Sequence, residues 1–350
     1  MKLNKILNSI KPLDKKSMSL ARQRQDSLTK PHGSLGKLEE LSVHIAGIKA
    51  VPLPQLEHKV IFTMAADHGV VAECVALYPQ EVTRQMVLNF LNGGAGINIL
   101  AKHIGARVIF VDMGVIGGFP PTPGLVCRMI DFGTKNMAQG PAMTLQQARD
   151  SIEAGIDLVE SELNKGLDII GTGDMGIGNT TASSAIFAAI SGYPVDKITG
   201  RGTGIDDKQL SHKVNVIEQA LKVNKPNPKE PLDVLAKVGG FEIGGLAGVI
   251  LAGAAHRIPV AIDGFISGAA ALIATSLSSQ VKDYLIAAHL SAEAGHKLLL
   301  DFLGLKPILN LNMRLGEGTG AALGISLAEA STKILTQMST FAEADVSEAE

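Results

Sequence analysis

Short apolar runs alternate along this chain with longer segments in which apolar residues recur every three or four positions. The short runs predict buried strands at residues 59–66, 107–111, 167–170, 259–262, 284–289 and 307–311. The longer segments predict helices at 35–49, from about 82, at 93–103, at 145–163, and up to about 337. Strands that alternate with helices of ten or more residues indicate βαβ units, so the pattern predicts an α/β fold with a mainly parallel sheet.

Two strongly apolar segments, 246–255 and 268–277, resemble membrane spans in composition. Both are shorter than the roughly 20 residues that cross a bilayer, so we expect buried helices there and no membrane partner. Residues 1–29 are charged and helix-prone, and Ser34 is the expected N-cap of the helix at 35–49. A break around Pro52 and Pro54 separates this part from the strands and helices that follow.

The composition suits a buried sheet covered by helices. Hydrophobic residues make up 46% of the 350 residues and aromatic residues only 4%, so Ala, Val, Ile and Leu build the core. The 32 basic and 34 acidic side chains nearly cancel without a basic stripe, which argues against a nucleic-acid partner. Cys74 and Cys127 lack metal-type spacing and fit a reducing cytoplasm. The first residues contain no apolar stretch of signal-peptide length.

One acid stands out at a predicted strand-to-helix turn. Glu317 lies between Gly316 and Gly318, after the apolar run at 307–311 and before an Ala/Leu-rich helix. Open α/β sheets bind their ligands outside the carboxyl ends of the strands, so this position suits a catalytic or binding acid. The alternative is a solvated acid at a helix N-terminus, which the helix dipole favours.

A glycine-rich stretch follows the strand predicted at 167–170. Gly171, Gly173 and Gly176 match the GxGxxG pattern of dinucleotide-binding sites. That pattern also requires a second strand ending in an acid about 20 residues later, but the segment at 192–197 is too short and polar. An NAD-dependent oxidoreductase that uses the stretch from Gly171 to Gly176 therefore stays an alternative.

Glycines and small polar residues continue past this match, through Gly178, Asn179 and Thr180. Backbone N–H groups in such a turn, at the start of a helix, suit a single phosphate. A second glycine cluster at 200–204 precedes Lys213 and predicts phosphate and sugar recognition by one loop and one cation. A flexible surface loop is the alternative for this cluster.

The nine histidines show no metal-ligand pattern. His68, His256, His289 and His296 lack HExxH spacing, and no cysteine or carboxylate close in sequence completes a site. His68 follows a predicted strand and can line a pocket, whereas we expect the other three in the core or on the surface. The sequence also lacks a GxSxG motif, so it does not support a serine hydrolase.

Several long motifs resemble those of one enzyme family. They are GDMGIGNTTASSAIFAA at 173–189, KPHGSLGKLEEL, AADHGV, YPQEVTRQMV, GRGTGIDD, GGFEIGGLAG, AIDGFISGAAAL, HLSAEAGH and RLGEGTGAAL. They extend from about residue 20 to about 335 and are similar to nicotinate-nucleotide:dimethylbenzimidazole phosphoribosyltransferases, which make the lower ligand of cobalamin. The resemblance implies a Rossmann-like parallel sheet with helices on both faces, and a homodimer. It also implies a small helical domain from residues 1–55 and 338–350, beside an α/β catalytic domain at 56–337.

The implied reaction moves 5-phosphoribosyl from nicotinate mononucleotide to 5,6-dimethylbenzimidazole or a related aromatic base, without a metal or other cofactor. The products are α-ribazole 5′-phosphate and nicotinate, with inversion at the anomeric carbon. By resemblance, Glu317 matches the general base of the family. Asp174 stands where some relatives carry a glutamate, and its shorter side chain points to a supporting, ring-positioning or structural role.

The resemblance also assigns two groups of binding residues. The phosphate and ribose group consists of Gly176, Gly178, Asn179, Thr180, Gly202 and Lys213. The group around the aromatic base consists of Tyr78, Gln85, Met86 and Leu315.

The chemistry of this reaction agrees with the residues present. Nicotinate leaves as a neutral pyridine, so the leaving group needs neither a proton nor a metal. The incoming benzimidazole attacks through one ring nitrogen and becomes acidic at the other, and one buried carboxylate with a raised pKa can take that proton. Transferases that use phosphoribosyl diphosphate need Mg²⁺ and paired acids after a strand, whereas Asp206 and Asp207 follow glycines. A non-catalytic nucleotide-binding protein is a further alternative.

Overall fold

Six parallel strands form a single sheet in the computed structural model, which describes residues 2–347. The strands are β1 (Lys59–Ala66), β2 (Arg107–Gly114), β3 (Leu125–Cys127), β4 (Ile169–Met175), β5 (Val260–Ile262) and β6 (Leu285–Ala287). Their order is β3-β2-β1-β4-β5-β6, and each neighbouring pair is parallel. The strand order reverses between β1 and β4, which is where α/β proteins of this topology bind their ligands. The predicted α/β class and parallel sheet are confirmed.

The α-helices are α1 (Lys2–Ser9), α2 (Lys15–Ser27), α3 (Lys37–Lys49), α4 (Glu81–Leu91), α5 (Gly96–His103), α6 (Leu145–Glu162), α7 (Asn179–Ser191), α8 (Val195–Ile198), α9 (Asp207–Asn224), α10 (Pro231–Val238), α11 (Phe241–Ala255), α12 (Phe265–Leu277), α13 (Ala294–Leu303), α14 (Thr319–Gln337) and α15 (Phe341–Ala344). Short 3₁₀ helices span Gly69–Glu73, Leu163–Lys165 and Ser279–Tyr284. In residues 2–347 no helix is long and apolar enough to cross a membrane.

Helices cover both faces of the sheet, as β1 shows. Its residues are buried along the whole strand, and successive side chains point to opposite faces. Phe62 and Met64 join a core cluster with residues of α6, α11 and α12. Ile61 and Ala65 join a second cluster with residues of α5 and α14. A strand buried on both faces reads as a continuous apolar run, which is why this strand could be predicted with its observed bounds.

Most predicted elements are confirmed, and the differences have physical reasons. The segment at 307–311 is not a strand, because it meets the sheet past the end of β6 and forms only an isolated bridge between Leu309 and His289. Strand β3 was not predicted, since three residues are too few to show a period. Ser34 does not cap α3, which begins after Gly36 with a left-handed backbone at that glycine.

The two ends of the described chain pack together. Ala21, Val43 and Ala46 form a small core cluster with Leu335 of α14. Leu28 also forms an antiparallel bridge with Thr340. Residues 348–350 of the predicted carboxyl-terminal segment lie outside the described residues.

Candidate active site

A cavity of about 310 Å³ opens at the carboxyl end of β4. Its walls come from the turn between β4 and α7, the loops at 75–78 and 200–203, the start of α12, the segment at 289–293, and residues 314–316. The cavity therefore lies beside the reversal of strand order, where the sheet topology favours ligand binding.

The turn from β4 into α7 forms one wall, and its backbone requires glycine. Gly178 has φ = 94°, a left-handed conformation that other L-residues rarely adopt. A Cβ atom at Gly176 would overlap the carbonyl oxygen of Ala66. Helix α7 begins at Asn179, so its positive dipole end faces the cavity, as in phosphate-binding turns.

Lys213 supplies a buried cation to the same wall. This side chain of α9 donates from Nζ to Thr180 Oγ1 at 2.8 Å and to the carbonyl oxygen of Gly200 at 3.3 Å. Within residues 2–347 no salt bridge pairs Lys213 with a carboxylate. Burial lowers the pKa of Lys213 to about 8, although the negative charge of Glu293 acts in the opposite direction. A buried ammonium group without a salt bridge is suited to an anionic ligand.

The loop at 200–204 completes this end of the cavity. The N–H of Gly202 donates to Glu293 Oε1 at 3.0 Å. A Cβ atom at Gly202 would lie 3.0 Å from Thr180 Oγ1, so glycine allows the loop to approach α7 closely. All six residues predicted to bind phosphate and ribose therefore lie together and line the cavity: Gly176, Gly178, Asn179, Thr180, Gly202 and Lys213.

Asp174 lies near the end of β4 and faces the cavity. Its Oδ2 accepts a hydrogen bond from Asn179 Nδ2 at 2.9 Å, while its buried Oδ1 has no hydrogen-bond partner within residues 2–347. Burial raises the pKa of Asp174 well above its usual range, and the negative charges of Asp263, Glu242 and Glu317 raise it further. Asp174 thus combines a fixed oxygen with a free one at the cavity wall.

Glu317 lies in a left-handed turn, with φ = 64°, between the ends of β1 and β4. Its N–H donates to the carbonyl oxygen of Asp174 at 3.2 Å, and its own carbonyl oxygen accepts a hydrogen bond from Thr63 Oγ1 at 2.8 Å. The backbone of this acid is therefore tied to both strands at the point where the strand order reverses.

The Glu317 carboxylate is buried next to the first turn of α5. Its Oε2 accepts a hydrogen bond from the N–H of Ile97 at 3.1 Å. Burial raises the pKa of Glu317, the N–H groups of Ile97 and Gly96 lower it, and the charge of Asp263 raises it, so that the pKa is above the ordinary value. Gly316 lines the cavity, whereas the Glu317 side chain does not.

The residues predicted to surround the aromatic base are only partly brought together. Tyr78 and Leu315 line the cavity, and they are 50% and 60% exposed. Gln85 and Met86 lie on α4 outside the cavity lining, where Gln85 is exposed and Met86 packs against the second core cluster.

Sequence reasoning missed one wall of the cavity. His289, Ser291 and Glu293 line it at every second position of an extended segment. This alternation of polar side chains with Leu290 and Ala292 was visible in the sequence, but His289 was expected in the core or on the surface. Its side chain is indeed buried, with Nε2 3.4 Å from Asp263 Oδ1.

A buried ion pair beneath the glycine turn was also missed. His68 Nε2 lies 2.7 Å from Glu242 Oε1, although the two residues are far apart in sequence. Burial alone would lower the pKa of His68, but the Glu242 carboxylate, with Asp67, raises it above the ordinary value. The His68 ring lies next to Gly176, since a Cβ atom there would be 3.4 Å from its Cδ2 and Nε2 atoms.

Two glycines of the GxGxxG match have a different role from the one that an NAD site requires. Gly171 and Gly173 lie inside β4, not in the turn that follows it. A Cβ atom at Gly171 would lie 2.9 Å from Ile61 Cγ1, and one at Gly173 would overlap the carbonyl group of Glu317. Both glycines therefore allow α14 and its preceding turn to pack on the sheet, and they do not support the oxidoreductase alternative. Within residues 2–347 no three His, Cys, Asp or Glu side chains group as a metal site.

Comparison with known proteins gives consistent matches. A family model described as phosphoribosyltransferase matches residues 10–346. The nicotinate-nucleotide–dimethylbenzimidazole phosphoribosyltransferase of Desulforudis audaxviator is 58% identical over 347 residues, which cover 99% of this chain and 98% of that relative. The enzyme of the same name from Geobacter sulfurreducens is 54% identical over 346 residues, which cover 99% of this chain and 98% of that relative. A crystal structure of the Thermus thermophilus enzyme with this name superposes with a TM-score of 0.91 at 43% identity, covering 96% of this chain and 100% of that one.

Proposed function

The chain belongs to the family of nicotinate-nucleotide–dimethylbenzimidazole phosphoribosyltransferases, and we propose that the cavity at the end of β4 is where it carries out this transfer. The 5-phosphoribosyl group moves from nicotinate mononucleotide to 5,6-dimethylbenzimidazole or a related aromatic base. The products are α-ribazole 5′-phosphate and nicotinate. The observation that carries the proposal is the buried Lys213 beside the N-terminus of α7, at one end of a cavity whose other end adjoins the Glu317 turn.

The 5′-phosphate binds at the first of these ends. The N-terminus of α7, at Asn179 and Thr180, offers N–H groups and a positive dipole to the phosphate oxygens. Lys213 adds a charge-assisted contact from a buried position, where water competes weakly. Gly178 and Gly202 bring the backbone close enough to enclose the phosphate.

The transfer step replaces one C–N bond at the anomeric carbon with another. A ring nitrogen of the incoming base attacks from the face opposite to the nicotinate, so the configuration inverts. The electron pair of the broken bond stays with the pyridine nitrogen, which becomes neutral. The second ring nitrogen of the new product loses its proton to Glu317. The N–H of Ile97 holds Oε2 of this carboxylate, so we assign the proton to Oε1.

The raised pKa of Glu317 suits a base that must hold a proton during the reaction and release it afterwards. Asp174 acts as a supporting residue, because its Oδ2 orients the Asn179 amide and its unpartnered Oδ1 faces the donor. Tyr78 and Leu315 contact the flat face of the aromatic base, and Gln85 and Met86 lie on the adjacent helix α4.

The remaining features of the proposal concern the whole chain. Exposed apolar side chains at the mouth of the cavity, including Leu77, Tyr78 and Leu315, support a homodimer. The unpaired Cys74 and Cys127 support a cytoplasmic location. The packing of α2 and α3 against α14 supports a small helical unit at 1–55 and 338–350, beside an α/β unit at 56–337.

The test is to incubate the protein with nicotinate mononucleotide and 5,6-dimethylbenzimidazole in the presence of a metal chelator. We expect nicotinate and α-ribazole 5′-phosphate to appear in equal amounts by chromatography. A protein that binds the nucleotide without releasing nicotinate would be a binding protein, and the transferase proposal would then be wrong. Binding and reduction of NAD in a parallel absorbance assay would support the oxidoreductase alternative.

A further inference from the structure

The carboxylate of Asp263, at the end of β5, holds the turn that contains Glu317. Asp263 follows β5 directly and is fully buried. Its Oδ1 accepts hydrogen bonds from the N–H of Gly320 at 2.7 Å and of Ala321 at 3.1 Å. Its Oδ2 accepts one from the N–H of Gly318 at 3.1 Å. The first N–H groups of a helix have no partner within the helix, so Asp263 satisfies three donors at the start of α14 from 55 residues away in sequence.

The turn needs such support because its backbone is unfavourable. Gly316, Glu317 and Gly318 have φ values of 82°, 64° and 97°, so three successive residues are left-handed. For the non-glycine residue Glu317 this conformation is unfavourable and persists only where the surroundings fix it. Thr63 and Asp174 hold the peptide groups on either side of Glu317. Asp263 holds the part of the turn that these two residues do not contact, namely the N–H groups of Gly318, Gly320 and Ala321.

Asp263 is itself held in place on its other sides. Its N–H donates to Thr172 Oγ1 at 3.3 Å, and Thr172 Oγ1 lies 2.9 Å from Ser267 Oγ. His289 lies 3.4 Å from Oδ1 through its Nε2 atom. Glycine is required at position 320, where a Cβ atom would overlap the His289 ring. Asp263 is therefore held by contacts from Thr172 and His289 as well as by the Glu317 turn.

We infer that Asp263 is a positioning residue for the transfer reaction: its carboxylate fixes the left-handed turn that presents Glu317 and places a second negative charge beside that acid. This inference rests on the proposed role of Glu317 as the general base. Asp263 does not line the cavity, so it acts through Glu317 and not on the substrate.

The second negative charge has a measurable consequence. The groups that face the Glu317 carboxylate are the N–H groups of Ile97 and Gly96 from α5, and the carboxyl groups of Asp174 and Asp263 from the ends of β4 and β5. The charge of Asp263 opposes ionisation of Glu317 and so raises its pKa. Removal of that charge therefore lowers the pKa of Glu317. The base then stays ionised at lower pH, so the variant keeps a given fraction of its maximal activity down to a lower pH than the wild type.

The main test is Asp263→Asn, with Ser331→Ala, a change at a buried serine of α14, as the control. In asparagine an NH₂ group replaces one of the two carboxylate oxygens. That NH₂ group would face a backbone N–H group, which is also a donor, so the hydrogen bond is lost and the turn loosens. We expect kcat to fall about 10- to 100-fold, because small misplacements of a catalytic group have effects of this size. We also expect the acidic limb of the pH profile of kcat/KM to move to lower pH. Ser331→Ala removes a buried hydrogen bond of α14, to the carbonyl oxygen of Ala328, but none of the bonds that Asp263 makes, so both quantities should stay close to wild type.

Glu317→Gln is measured beside these variants to separate the inference from the proposed function. If Glu317→Gln loses turnover while Asp263→Asn keeps both kcat and the position of the acidic limb, the inference about Asp263 is wrong and the proposed base stands. If Glu317→Gln keeps its activity, the base assignment itself fails. If kcat falls in Asp263→Asn but the acidic limb does not move, the proposed effect of the charge is wrong. Asp263 then acts only by holding the turn through its hydrogen bonds.

Amide hydrogen exchange of the wild-type protein also tests the inference. This test does not depend on whether a variant folds. First-turn amides of a helix normally exchange fast because they lack a partner within the helix. We expect slow exchange at Gly318, Gly320 and Ala321, comparable to the interior of α14. Fast exchange at all three amides would overturn the inference.

Discussion

The two ends of the cavity are built in different ways. At the phosphate end Lys213 and Asn179 are buried, and Lys213 Nζ donates to Thr180 Oγ1 at 2.8 Å. At the base end Tyr78 and Leu315 are at least half exposed.

This difference follows from what each end must bind. A phosphate loses strong hydration on binding, so the site must offer directional donors and a cation in fixed positions. A neutral aromatic ring binds through apolar contact area, which many side chains supply without exact directions. On the proposed assignment of the two ends, the nucleotide donor is specified by buried groups and backbone shape, whereas the acceptor base is specified by exposed side chains.

The largest effect is expected at Glu317, whose turn adjoins the end of the cavity opposite Lys213. Glu317→Gln keeps the size of the side chain but removes the proton acceptor, so kcat should fall about 10²- to 10⁴-fold. Nucleotide binding, measured by calorimetry, should stay nearly unchanged. Glu329→Gln is the matched control, because this acid lies on α14, the helix that follows Glu317, and pairs with Lys59 and Lys333 away from the cavity. Near wild-type turnover in Glu317→Gln would show that Glu317 is not the base.

The next effect is expected at the phosphate end. Lys213→Met removes a charge-assisted contact, so KM for nicotinate mononucleotide should rise about 10- to 100-fold with a smaller change in kcat. Lys222→Met changes an exposed lysine of the same helix and serves as the control. An unchanged KM in Lys213→Met would show that this lysine does not meet the phosphate.

The same lysine predicts a pH dependence of nucleotide binding. Burial lowers the pKa of Lys213 in the free protein to about 8, so the ammonium form and its positive charge are present below that pH and are lost above it. The affinity for nicotinate mononucleotide, measured by calorimetry, should therefore weaken as the pH rises above about 8. Lys213→Met should abolish this change. Persistence of the same pH dependence in the variant would assign it to another group.

A smaller effect tests whether the phosphate end depends on backbone shape. Gly178→Ala puts a Cβ atom 2.9 Å from Val71 Cγ2 at φ = 94°, whereas Gly192→Ala at φ = 73° meets no atom within 4 Å. Both variants carry the strain of a left-handed alanine, about 1 kcal/mol, at opposite ends of α7. We expect both variants to lose stability in thermal unfolding, Gly178→Ala more because of its contact with Val71, and a several-fold rise in KM for the nucleotide only in Gly178→Ala. Equal KM values in the two variants would contradict a backbone-shaped phosphate site.

The contrast between the two ends also explains what could be predicted from the sequence. The glycines at 176, 178 and 202 could be read because the turn chemistry they allow is local and other residues fit poorly there. The exposed side chains at 78, 85, 86 and 315 gave no comparable signal, since the three-dimensional arrangement of loops and α4 decides which of them face the cavity.

Long-range contacts were the main part that remained hidden. Nothing in the local pattern shows that Asp263 reaches the Glu317 turn, or that Glu242 pairs with His68. Gly171 and Gly173 illustrate the converse case, because a local pattern that left the NAD alternative open serves the packing of α14 and its turn. The apolar run at 307–311 was assigned as a strand because hydrophobic patterning does not tell whether a sheet edge is available to it.

The smallest effect is expected at the base end, and it decides whether the contrast holds. Tyr78→Ala removes a half-exposed aromatic ring from the cavity wall. The KM for the aromatic base should rise only about 2- to 10-fold, as expected for the loss of a contact of about 0.5–1.5 kcal/mol. KM for nicotinate mononucleotide should stay unchanged, because the phosphate end is fixed separately. Leu53→Ala is the control, since this exposed side chain precedes β1 and so lies at the opposite end of the sheet. A loss in Tyr78→Ala as large as that of Lys213→Met would mean that the base end is as strictly built as the phosphate end, and that the acceptor is also rigidly specified.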